Sequence, residues 1–96
     1  MPRVTKLDDE QVRSKLAQLE GWELDAGKLH REFRFDDFRA AFSFMTALAL
    51  TAEKLDHHPE WFNVYSRVEI HLSTHDVGGI SALDFTFAEA ANALAG

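Results

Sequence analysis

Cysteine is absent from this 96-residue chain, and proline occurs only twice and glycine five times. The fold therefore has no disulfides, and no thiol can serve as a nucleophile or a zinc ligand. The chain also lacks internal repeats, low-complexity tracts and Gly/Ser/Pro-rich linkers, so we expect a single domain over residues 1–96 with short connections. The missing disulfides fit a cytoplasmic, reducing location.

Basic residues and long apolar runs are scarce as well. Ten Lys and Arg against sixteen Asp and Glu give a net charge of -6 at pH 7, which disfavours direct binding to nucleic-acid phosphates. No segment has the length of a membrane span, and the amino terminus lacks the apolar run of a signal peptide. Hydrophobic residues still make up 46% of the chain and include eight Phe, enough for a modest core.

The first part of the chain predicts a short helix and a hairpin. In "DDEQVRSKLAQLEGW" the apolar residues Val12, Leu16 and Leu19 fall at helical spacing, and Gly21 stands where a helix cap is expected. In "WELDAGKLHREFRF" a turn at 25–28 separates two runs that alternate in polarity. Arg31 interrupts the apolar side of the second run, and we expect it near the strand end with its charge in water.

The segment "DDFRAAFSFMTALALTAEKL" predicts a long helix capped by Asp36 or Asp37. Its apolar stripe is expected to comprise Phe38, Ala41, Phe42, Met45, Leu48, Ala49, Ala52 and Leu55. The opposite side carries small or apolar residues, namely Ala40, Ser43, Thr46, Ala47 and Leu50. Since a domain of this size has little room to surround a helix, we favour a subunit contact over complete burial in the core.

The last part of the chain predicts one or two strands and a final helix. Val68, Ile70 and Leu72 alternate with polar residues and indicate a strand. Whether 61–65 forms a separate strand, turned at 66–67, or a bulged continuation stays open. Ser81 to Asp84 has the order of a capping box before a helix. The fold class is thus α+β, with a four-stranded antiparallel sheet, helices on one face and the order α-β-β-α-β-β-α.

Five histidines are the most informative polar residues. His30 and His71 lie on the polar sides of strands; His30 is expected to be solvated, and neither receives a role. In "DHHP" the helix ends and Pro59 restricts the backbone before it, so the rings of His57 and His58 should diverge. That geometry disfavours a shared metal, and a zinc site that adds His75 and Glu53 or Asp56 lacks a recognised ligand spacing. A plain helix cap is the structural alternative.

A second His-acid cluster, "STHD" at 73–76, ends a strand beside a glycine-containing loop. With Trp61 and Phe62 as flat walls, the two clusters could line a pocket for a planar heterocycle. Imidazoles can act as acid and base at neutral pH. The chain shows no activated nucleophile and no phosphate-binding loop. The residues alone therefore indicate either a cofactor-free proton-transfer enzyme or a small binding module.

The segment "AEKLDHHPEWFNVYSRVEIHLSTHDVGGISALD" resembles the pterin-4a-carbinolamine dehydratases. Their pattern is an acid, three residues, His-His-Pro, a nearby aromatic, Thr-His-Glu/Asp before a Gly, and a final Asp. The resemblance implies a hydro-lyase that converts 4a-hydroxytetrahydropterin to quinonoid dihydropterin and water, without metal or organic cofactor, in tetrahydropterin recycling. It assigns catalysis to His57, His58 and His75. The substrate-binding residues would be Asp56, His57, His58, Ser73, Thr74, His75 and Asp76.

The resemblance also suggests supporting residues and partners. Glu53 and Asp84 match the acids of the motif, and we hypothesise that they orient the imidazoles; Trp61 matches its aromatic position. Animal members of the family also serve as dimerisation cofactors of a transcription regulator. We therefore expect a homodimer or homotetramer that serves an aromatic amino acid hydroxylase, with a non-catalytic interaction module as the alternative.

Overall fold

The computed structural model describes residues 4–96 and contains three helices and one four-stranded sheet. The elements are α1 (Asp9–Leu16), β1 (Glu23–Asp25), β2 (Lys28–Arg34), α2 (Phe38–Leu55), β3 (Glu60–Val64), β4 (Arg67–Leu72), a 3-10 turn (His75–Val77) and α3 (Ala82–Ala95). All strand pairs are antiparallel and the sheet order is β1-β2-β4-β3. The predicted fold class and element order are confirmed.

Local sequence signals explain where most elements begin and turn. Asp37 accepts a hydrogen bond from the backbone N–H of Ala40 and starts α2. Ala26 and Gly27 both have positive φ, the geometry of a two-residue hairpin turn between β1 and β2. β3 is a separate strand, and its connection to β4 includes Tyr65 at φ 51°. α1 is shorter than expected, because it ends at Leu16 and Gly21 lies beyond the cap.

The core lies between one face of the sheet and the helices. β2 and β4 contribute Leu29, Phe33, Val68, Ile70 and Leu72, all buried, and α3 contributes the fully buried Phe87. Arg31 lies in the middle of β2 rather than at its end. Its guanidinium stacks 4.4 Å from the centre of the Phe33 ring and donates to Asn92 on α3 at 2.7 Å. The expected position near the strand end is therefore wrong, and the half-buried guanidinium has tertiary partners.

The buried face of α2 differs from the predicted stripe. Ala41, Phe44, Leu48 and Ala52 are buried, whereas Phe42 is 55% exposed. Because both sides of the helix carry apolar residues, periodicity alone could not select the inner one. Among residues 4–96, no helix is both long enough and apolar enough to cross a membrane.

The outer face of the sheet is mostly polar, and His30 on β2 is not solvated as expected. Its ring contacts the carboxylates of Glu23 and Glu69 at 2.9 and 2.8 Å, and its side chain is only 14% exposed. Burial disfavours the protonated ring, but the bonds to the two carboxylates outweigh burial and raise the pKa of His30. Nearby, a hydrogen bond from His71 lowers the pKa of Asp25.

Candidate active site

The carboxyl end of α2 aims the two neighbouring imidazoles in different directions. Asp56 adopts a left-handed conformation with φ 51°, and its backbone N–H caps the helix. The backbone N–H of His57 still donates to the carbonyl of Ala52 at 3.0 Å, which turns the chain back towards the core. The His57 side chain is 9% exposed and that of His58 56%. The predicted divergence of the rings is confirmed.

His57 is fixed by a carboxylate beneath it. Its Nε2 lies 2.6 Å from Oδ1 of Asp84, which is fully buried at the start of α3. The ring of Phe87 meets the imidazole edge-on at a centroid distance of 6.5 Å. A carboxylate is a hydrogen-bond acceptor, so Nε2 carries the proton and Nδ1 is left as the basic nitrogen. Within residues 4–96, no hydrogen bond joins Nδ1 to another residue.

Asp84 is itself held by three donors from different elements. Oδ2 accepts from the Thr74 hydroxyl at 2.8 Å and from the Ser81 backbone N–H at 2.9 Å, while Oδ1 faces His57. The hydroxyls of Thr74 and Ser81 are 2.6 Å apart. The bond from Ser81 completes the capping box of α3. One carboxylate therefore both starts a helix and sets the tautomer of an imidazole.

The segment after β4 folds back on itself and exposes His75. The backbone of Thr74 pairs with Gly79, with its N–H 2.7 Å from the Gly79 carbonyl. Between these residues lies the 3-10 turn, which ends at Gly78 with φ 66°. Thr74 points inwards and is 4% exposed, whereas His75 at the beginning of the turn is exposed. This reversal presents His75 towards the end of α2.

Two adjoining cavities lie where these segments meet. One cavity, about 280 Å³ and called the inner cavity because it reaches the buried His57, is lined by Val4, Asp56, His57, His58, Ser73, Thr74, His75, Asp76 and Leu83. The outer cavity, about 440 Å³, shares His58 and residues 73–75 with it. It extends over the β1–β2 turn to Lys28, Glu60 and His71. Every residue predicted to bind substrate lies on the wall of the inner cavity.

The predicted supporting residues occupy three different positions. Asp84 lies beneath His57 as described, and Glu53 on α2 contacts Nε2 of His58 at 2.6 Å on the surface. Trp61 instead points to the core side of β3, opposite Ile70, and packs against the hydrophobic core. Phe62 points to the other face, where the guanidinium of Arg67 lies 5.5 Å from its ring centre. The aromatic walls expected of the pocket are thus directed elsewhere.

Sequence reasoning missed several residues of the cavity walls. Val4 and Leu83 supply apolar wall to the inner cavity. Lys28 and Glu60 form an ion pair of 2.7 Å at the outer cavity, and this hydrogen bond lowers the pKa of Glu60. His71 also lines the outer cavity with His75. The spacing of four between these two histidines, along a strand and its extension, was the available signal for His71.

A cluster of potential metal-binding side chains lies on the sheet. Of the side chains in residues 4–96, those of Asp25, His30 and His71 alone form a group whose donor atoms lie within 4.8 Å of one another. His57 and His58 each contact a different acid. The two imidazoles are therefore held separately, each by its own carboxylate.

The family model described as Pterin 4 alpha carbinolamine dehydratase matches residues 5–94. The chain belongs to the pterin-4a-carbinolamine dehydratase family. The resemblance stated from the sequence is thereby confirmed, and with it the hydro-lyase class of the family.

Individual relatives agree over nearly the whole chain. A Solibacter usitatus protein provisionally named pterin-4-alpha-carbinolamine dehydratase is 54% identical over 91 residues, covering 95% of this chain and 96% of its own length. A Sinorhizobium fredii protein with the same provisional name is 53% identical over 88 residues, covering 90% and 84%. A Brucella melitensis crystal structure, described as a transcriptional coactivator/pterin dehydratase, superposes with a TM-score of 0.92 at 46% identity, covering 95% and 99%.

Proposed function

We propose that this protein dehydrates 4a-hydroxytetrahydropterin to quinonoid dihydropterin and water, and so supports tetrahydropterin recycling after aromatic amino acid hydroxylation. One observation carries the proposal: the inner cavity collects every predicted substrate-binding residue, with His57, His58 and His75 among them. Family membership supports the same substrate class. The flat, polar substrate would lie between the end of α2 and the 3-10 turn.

The reaction needs one acid and one base. The acid protonates the hydroxyl on C4a, the C–O bond breaks and water leaves. The base removes the proton from the ring nitrogen bonded to C4a. The electron pair left on this nitrogen forms the new C=N bond with C4a. We assign the base to Nδ1 of His57, because Asp84 holds the proton of this ring on Nε2. The exposed His75 would supply the acid, and His58 would assist or bind.

The activity is tested by ultraviolet spectra that follow freshly generated 4a-hydroxytetrahydropterin with and without the protein. We expect decay to quinonoid dihydropterin to accelerate in proportion to protein concentration, and heat-denatured protein serves as the control. An unchanged decay would contradict the proposal. It would favour the alternative of a non-catalytic interaction module, which the description of the Brucella melitensis structure also motivates.

We further propose that α2 mediates homo-oligomerisation. On its outward side, Phe42 and Leu50 are 55% and 71% exposed, and the Phe38 ring packs on Phe42 at a centroid distance of 5.6 Å. Apolar side chains with such exposure on one helix face are typical of an interface. A second copy of the same helix would cover them symmetrically.

Light scattering tests this assembly. Wild-type protein at micromolar concentration should have the mass of a dimer or tetramer, and Leu50→Glu should shift it to a smaller species because the interface would bury an unpaired charge. Leu94→Glu on α3 is the matched control, since Leu94 is also exposed, at 45%. A monomeric wild type, or a mass unaffected by Leu50→Glu, would contradict the interface.

A further inference from the structure

The outer face of the sheet places two histidines side by side on its central strands. Strand pairing sets Glu23 of β1 opposite His30 of β2, His30 opposite His71 of β4, and His71 opposite Glu60 of β3. Since side chains alternate between the faces of a strand, these four residues form one row across the outer face. The row lies on the side of the sheet away from the helical core.

Short distances join this row to two further acids. His71 Nε2 lies 3.0 Å from Oδ2 of Asp25, and His30 contacts Glu23 and Glu69 at 2.9 and 2.8 Å. The two imidazoles are 4.4 Å apart between ring centres and tilted by 31°. One donor atom from each of Asp25, His30 and His71 falls within 4.8 Å of the others. Three strands thus converge on one point.

We propose that Asp25, His30 and His71 form a binding site for one divalent transition-metal ion of the zinc class. Ligand bonds of about 2.1 Å in a tetrahedral site put donor atoms about 3.4 Å apart. The His71–Asp25 pair at 3.0 Å needs to open by only a few tenths of an ångström. Two imidazoles and a carboxylate select zinc, cobalt or nickel over magnesium and calcium, which prefer oxygen ligands.

The carboxylates around His30 could also orient its ring when it binds a metal ion. Each ring nitrogen of His30 already faces a carboxylate, Nδ1 that of Glu23 and Nε2 that of Glu69. Whichever nitrogen binds the ion, the other keeps a carboxylate that orients the ring, as metal-bound histidines commonly have. The displaced carboxylate is then available as a fourth ligand.

The charge and exposure of the site also favour a cation. The carboxylates of Glu23, Asp25 and Glu69 surround the two imidazoles and supply negative charge. Lys28 is paired with Glu60, and Arg67 lies 3.6 Å from Glu69. The side chain of Asp25 is 57% exposed and that of His71 28%, so an ion can enter directly from solvent.

The test is isothermal titration of tag-free protein with zinc chloride at about pH 8, because metal binding requires deprotonated ligands. We expect one ion per chain with micromolar affinity, and a tetrahedral visible spectrum when cobalt replaces zinc. His71→Gln and Asp25→Asn should each weaken binding by at least about a hundredfold, while Glu69→Gln should weaken it at least about tenfold, because Glu69 either orients His30 or serves as the fourth ligand.

The matched controls are His58→Gln and His75→Gln, which remove imidazoles of the cleft and should leave zinc affinity unchanged. Zinc should also raise the melting temperature of the wild type but not of His71→Gln, whose circular dichroism spectrum checks that it folds. No binding by the wild type at millimolar zinc would overturn the proposal. So would loss of binding in the cleft variants with retention in His71→Gln. None of these readouts depends on dehydratase activity.

Discussion

Replacing His75 with alanine should lower the dehydration rate at least about a hundredfold, the usual contribution of a general acid or base. His75 is exposed at the wall of the inner cavity, so the change removes a proton donor without opening the core. The rate is measured from ultraviolet spectra of 4a-hydroxytetrahydropterin decay. The pH profile adds a second readout, because the limb that reports the acid should disappear.

Comparison with three other variants makes this result specific. His57→Ala should cause a loss of similar size, and His58→Ala a smaller one, since we assign only assistance or binding to His58. Thr86→Ala, an exposed position on α3, controls for handling and should retain the full rate. A near-normal rate for His75→Ala would contradict its assignment as the acid.

Asp84→Asn should reduce the dehydration rate by up to the full contribution of a general base, about 10² to 10⁴-fold. The amide keeps the size of the carboxylate but can donate to His57 Nε2, and the proton would then move to Nδ1, the nitrogen that must be free. Nitrogen NMR of labelled histidine detects this change of tautomer directly. A fall in rate with the His57 tautomer unchanged would contradict the positioning role.

Asp84→Ala should lower the free energy of unfolding by about 3–5 kcal/mol, because the buried groups that contact Asp84 lose their hydrogen-bond acceptor. Urea denaturation measures this loss. Glu53→Gln is the matched control, since Glu53 also contacts a histidine at 2.6 Å but on the surface. That exposed pair should contribute no more than about 1 kcal/mol. Equal losses in the two variants would show that burial is not the cause.

The features that the sequence could predict are those determined by residues close together in the chain. The turn at Ala26–Gly27 and the cap at Asp37 depend on neighbouring residues and lie where the pattern predicts them. The resemblance likewise named seven of the nine residues that line the inner cavity. The connection of β3 to β4 could not be settled, because Tyr65 at positive φ is not a usual turn signal.

The features that sequence could not predict depend on distant partners. Arg31 is satisfied by Asn92, 61 positions along the chain, and by the ring of Phe33. His30 is held by Glu69 on a neighbouring strand. Spacing along one element shows which face a residue occupies but not what lies across from it. The prediction of which side of α2 faces the core failed for a related reason, since the helix carries apolar residues on both sides.

The two duties of Asp84 have a consequence for the evolution of such chains. A lineage that no longer dehydrated pterins would still be selected to keep this acid, since the first turn of α3 and the burial of Thr74 depend on it. His75 is exposed and lies outside that buried network, so selection for folding alone would let it drift. On the roles proposed above, the residue at position 75 would be the better marker of retained catalysis, and the residue at position 84 would mark retention of the fold.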